Sequence, residues 1–119
     1  MKKIVLLIVM LSLTFTYAQD IIEPTLDKKG DLIQVTYFHD NGNVEQVGTF
    51  NALGKLQGEW VSFDDAGNKT ALGNYDNGKK VGKWFFWNDD SLKEVDYIDS
   101  RIVKVNQWDN KTKVVINDN

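Results

Sequence analysis

Gly54-Lys55-Leu56-Gln57-Gly58-Glu59-Trp60 and Gly78-Lys79-Lys80-Val81-Gly82-Lys83-Trp84 are one phrase written twice, 24 residues apart. A short phrase repeated at a fixed interval marks a structural unit too small to bury its own apolar residues, so copies must stack. The interval extends outward, because Trp108 follows Trp84 by a further 24 residues. Phe63 and Trp87 stand three residues after the first two tryptophans, and Val35 and Phe38 hold the corresponding places one unit earlier. Val47-Gly48-x-Phe50 matches Leu72-Gly73-x-Tyr75.

Between these landmarks the chain alternates short apolar runs with turn residues. Asp40-Asn41-Gly42, Ala52-Leu53-Gly54, Asp65-Ala66-Gly67-Asn68, Asp76-Asn77-Gly78 and Asn88-Asp89-Asp90-Ser91 are the breaks. Asn-Gly pairs supply the positive φ that tight hairpin turns demand. The runs predicted as strands cover 32–38, 44–50, 59–63, 69–75, 83–87, 92–98, 102–108 and 114–116. They are rich in β-branched and aromatic residues and show no sustained helical period. The expectation is an all-β chain: an antiparallel β-meander of about three stacked units, forming an elongated twisted sheet. The units fall at about 35–59, 60–83 and 84–108, followed by a C-terminal strand and tail, within a domain spanning 31–119.

The stretch Tyr75-x-x-Gly78-Lys79-x-x-Gly82-x-Trp84-x-x-Trp87 resembles the MORN repeat in its bacterial variant. The resemblance covers about residues 35–108 and is clearest around Gly58-Glu59-Trp60 and Gly82-Lys83-Trp84. The last unit departs from it. Ser91 replaces the turn glycine, Asp99-Ser100-Arg101-Ile102 replaces the Gly-Lys turn, and Tyr97 to Trp108 is two residues longer than Tyr75 to Trp84. Such a unit reads as a cap. The resemblance implies protein association and membrane proximity. Some proteins similar to this one carry a nicotinate-mononucleotide adenylyltransferase name. That activity needs a Rossmann-like parallel sheet and a His-x-Gly-His motif, whereas His39 is the single histidine here.

The ends bound the setting. Met1-Lys2-Lys3 followed by the apolar stretch 4–13 and by Thr16-Tyr17-Ala18 is predicted to be a secretory signal peptide of residues 1–18, cut near Ala18. Residues 19–30 then form a lead-in containing the single proline, Pro24. The exported chain is expected in the periplasm or outside the cell, with no spanning helix. Without Lys2 and Lys3 it carries 12 basic against 17 acidic side chains, a net charge of −5. That balance argues against nucleic acid as a partner, because phosphate binding needs a basic footprint. It argues equally against a purely electrostatic hold on anionic lipid. The absence of cysteine excludes disulfides, thiolate metal sites and a thiol nucleophile.

The repeated residues read as structure first. Gly58 and Gly82 let a strand start close against its neighbour, while Gly54 and Gly78 serve turns with positive φ. Trp60, Trp84 and Trp108 are predicted to form one buried ladder. Burying one tryptophan removes about 150–250 Å² from water, worth about 4–6 kcal/mol. Trp84-Phe85-Phe86-Trp87 places aromatic rings on both faces of one strand, because side chains alternate. Either the sheet curls over itself or one face meets a partner. Phe38, Phe63 and Trp87 are therefore the candidate docking row, for an unknown protein or an envelope glycan.

Catalytic, cofactor and metal sites are not expected. His39 and Asp40 are sequence neighbours and point to opposite faces of an extended strand. Asp64-Asp65 and Asp89-Asp90 lead into turns, where aspartate bonds nearby backbone. Neither pair begins a calcium loop with its closing glutamate. The triplets Asn68-Lys69-Thr70 and Asn110-Lys111-Thr112 match a glycosylation pattern, which carries no weight in a bacterial-style exported chain. The leading expectation is a non-enzymatic interaction module or scaffold. The alternative is an immunity or antitoxin partner of a toxin, with a nucleotidyltransferase behind both. Trp84→Ala is expected to cost about 3–5 kcal/mol in chemical denaturation, as truncation of a buried tryptophan does. A loss below about 1 kcal/mol would place the ring outside the core.

Overall fold

A computed structural model describes residues 22–109 and the backbone of residues 115–117. The signal segment with its cut after Ala18, the start of the last predicted strand at Val114, and the Asn110-Lys111-Thr112 triplet lie outside the described residues. Among the described residues nine strands follow one another: β1 (Thr25–Lys29), β2 (Leu32–Phe38), β3 (Val44–Phe50), β4 (Leu56–Phe63), β5 (Lys69–Asp76), β6 (Lys79–Asn88), β7 (Ser91–Ile98), β8 (Arg101–Asp109) and β9 (Val115–Asn117). They form one open sheet in sequence order, and every pairing is antiparallel. The chain is thus the all-β antiparallel meander that its alternating runs and turns predict. It measures 77 × 42 × 24 Å. Among the described residues there is no helix long and apolar enough to cross a membrane.

Three boundaries differ from the sequence expectation by more than a residue. The lead-in contributes a strand of its own, because β1 pairs with β2 from Thr25↔Thr36 to Lys29↔Leu32. Strands β4 and β6 begin at Leu56 and Lys79, well before the glycines taken as their starts. Gly58 and Gly82 instead lie inside their strands with φ of 78° and 69°. Gly48 of β3 alone faces the three residues Gly58, Glu59 and Trp60 of β4, between the pairs Val47↔Val61 and Thr49↔Gln57. Gly73 of β5 likewise faces Gly82, Lys83 and Trp84, between Leu72↔Phe85 and Asn74↔Val81. The positive φ of a bulge glycine is what lets the longer strand take up its extra residues. Gly54 and Gly78 have the positive φ expected of turn residues, 77° and 87°.

These bulges aim each tryptophan back over the preceding strand. A Cβ built on Gly48 would lie 1.9 Å from the Trp60 ring, and one on Gly73 would lie 1.9 Å from the Trp84 ring. Each indole Nε1–H donates to the carbonyl just past the glycine, Trp60 to Thr49 and Trp84 to Asn74, both at 3.1 Å. The indole is therefore buried without stranding its donor. Aromatic rings close the sides. Phe50 meets Trp60 edge-on at 5.3 Å, and Tyr75 meets both Trp60 (6.1 Å) and Trp84 (5.0 Å) edge-on. Tyr97 adds a further edge to Trp84 at 5.8 Å, and Phe86 stacks on it at 6.0 Å. The Lys80 ammonium lies 5.2 Å from the Trp84 ring centre and 5.1 Å from that of Tyr97. Val35, Trp60, Trp84, Val95 and Tyr97 are the buried core among the described residues.

Trp108 is not a rung of this ladder. The place held by Gly48 and Gly73 is taken on β7 by Val95, which pairs with Val105. A valine side chain fills the space an overlying indole would need. The β7–β8 hairpin also carries one extra residue where the earlier pairs carry two, since Asp96↔Lys104 is followed by Tyr97↔Ile102. Trp108 therefore falls three residues beyond the ladder position and, by alternation, on the opposite face. It stands in one line with Leu92 and Trp87.

Gly73→Ala puts a methyl group inside the Trp84 ring. We expect a loss of about 3 kcal/mol or more in urea denaturation. Gly67→Ala at a turn has open space but a φ of 92°, and should lose only about 1–2 kcal/mol. Equal losses would show that the ladder does not depend on the glycine gap.

Candidate functional site

The ladder occupies the first face of the sheet. The second face is set by the opposite parity, and nothing in the described chain lies over it, since each strand pairs only with its sequence neighbours. Val47, Val61, Leu72 and Phe85 form one cross-strand line on it. Phe38, Phe63 and Trp87 form a second line, each three residues past Val35, Trp60 and Trp84. All three rings are half-buried, and Trp108 continues their line. The structure thus brings the predicted row together and adds a fourth member. Trp87 stacks on Phe85, its neighbour two residues away, with ring centres at 6.0 Å and planes 22° apart.

Turns at one edge of the sheet border this row. The first, 39–43, closes through His39 N–H donating to the Asn43 carbonyl at 2.8 Å. The second, 64–68, closes in the same way from Asp64 to Asn68 at 2.8 Å. The two turns are also tied to each other. His39 Nε2–H donates to the Phe63 carbonyl at 2.8 Å, and the Asn41 and Asn43 amides both donate to the Asp65 carbonyl. His39 Nδ1 faces Glu45 at 3.5 Å. The lone histidine is a bridge between adjacent hairpins.

Asp64 takes the corresponding place one unit later and does something else. Its Oδ1 accepts from the Ala66 and Asn68 backbone N–H groups at 3.1 and 2.9 Å, and its Oδ2 accepts from the Asn68 amide at 3.3 Å. The carboxylate is folded back on its own turn. Among the described residues, no bond of the His39 kind joins this turn to the next one at Asn88–Ser91, which is a shorter hairpin. An open cleft of 710 Å³ lies there instead, lined by Asp64, Asn68, Lys69, Thr70, Trp87, Asn88 and Asp89. It offers an aromatic platform with amide, hydroxyl, ammonium and carboxylate groups around its rim, the mixture that orients a ligand in a mostly apolar seat.

At the other edge the second face ends in charge. Lys83 Nζ is bound by the Glu94 carboxylate and lies 3.5 Å from Asp96. The bond to Glu94, with the charge of Asp96 behind it, raises the lysine above its ordinary value. A second hollow, 540 Å³, lies at the β1–β3 end, where Leu26, Ile33, Tyr37, Phe50 and Ala52 are among its apolar lining. Burial raises the Tyr75 hydroxyl, with a further contribution from Tyr97. Among the described residues no group of three or more histidine, aspartate or glutamate side chains is arranged to hold a metal ion.

The sequence singled out Trp87, Phe63 and Phe38, and the structure places them on one face. It did not find the cleft, which depends on the histidine bridge being replaced by a self-capping aspartate. No family model matches the chain, and no curated protein or solved structure matches it.

Asp64 is held below the ordinary aspartate value, chiefly by the Asn68 backbone N–H. A depressed folded value stabilises above the unfolded value and is lost as pH falls through the folded one. Asp64→Asn should therefore lower the urea midpoint at neutral pH, and the gap to wild type should close on acidification below about 3.9. A gap independent of pH would mean that the carboxylate charge adds nothing to the turn.

Proposed function

We propose that the chain is an exported, non-enzymatic β-repeat interaction module of the MORN type, which binds an envelope protein or polymer through the second face of its sheet. The observation that carries this reading is the partly exposed Trp87, stacked on Phe85 and lining the 710 Å³ cleft. Large aromatic side chains left in contact with water on a single-layer sheet are the kind of anchor that binding surfaces use. The reading as a binder is supported by how the polar side chains are spent. The Asp64 oxygens are engaged by their own turn, and the His39 ring by a neighbouring carbonyl and Glu45. Export is supported by the N-terminal sequence, and the MORN assignment by the repeated Gly-Lys-x-x-Gly-x-Trp phrase.

The test is capture from an envelope extract on immobilised wild type and Trp87→Ala. A component retained by wild type and lost by a variant with an unchanged thermal midpoint is the expected result. Collapse of the variant's thermal transition would make Trp87 a core residue and remove the proposed surface.

A further inference from the structure

We draw no further inference here: the strongest candidate, the largely continuous apolar second face of the sheet, where Val44 pairs with Phe38 and Leu92 links Trp87 to Trp108, carries no proposal because nothing in the structure shows what covers it.

Discussion

An indole ring laid on the bare backbone of a glycine one strand earlier is the contact on which this sheet depends. Sheets ordinarily find stability by covering a face with a second layer. The described residues form a single layer, and its first face is covered by its own aromatic side chains. Trp60 and Trp84 approach closely because Gly48 and Gly73 have no Cβ. They reach backward because Gly58 and Gly82 adopt positive φ and bulge the strands that carry them. Their donors are satisfied by the carbonyls of Thr49 and Asn74. Remove any of the three conditions and the ring must either clash, face solvent or bury an unpaired N–H.

The same construction explains where the ladder stops. A tryptophan rung needs a glycine on the previous strand, and β7 offers Val95. Val95 and Val105 pair in its place, and Tyr97 closes the side of the last rung. Trp108 then passes to the other face. The consequence is functional as well as structural, since the second face gains a second tryptophan on the side nearest the cleft.

The second face is shaped by what its turns lack. Successive hairpins at one edge can be tied by a side chain that reaches the next backbone, as His39 reaches Phe63. Aspartate is too short for that reach and finds three donors within its own turn. The tie is lost between the second and third hairpins, and the space beside Trp87 stays open. An aromatic platform is thus exposed where the regular cross-bracing of the edge is interrupted, while Lys83, clasped by Glu94 and Asp96, closes the opposite border.

The sequence by itself determined the sheet. Asn-Gly pairs and other Gly-, Asn- and Asp-containing turns between short β-branched and aromatic runs force an antiparallel meander, because turn chemistry and period-two alternation are local properties. It also determined that Trp84 and Trp87 lie on opposite faces, since three residues along a strand reverse the side. The tertiary structure alone decided which glycines matter most. Gly48 and Gly73 sit in a less conspicuous phrase than Gly58 and Gly82, and only cross-strand packing reveals that an indole occupies the place of their side chains. It alone placed Trp108, whose interval of 24 matches the ladder in the sequence. The interval counts residues, whereas the face depends on how many of them are taken up by the bulge and the turn. The strand at Thr25–Lys29 was hidden for a similar reason. Its five residues are all exposed, so it carries no buried face to pattern the sequence, and it is held by backbone pairing to β2.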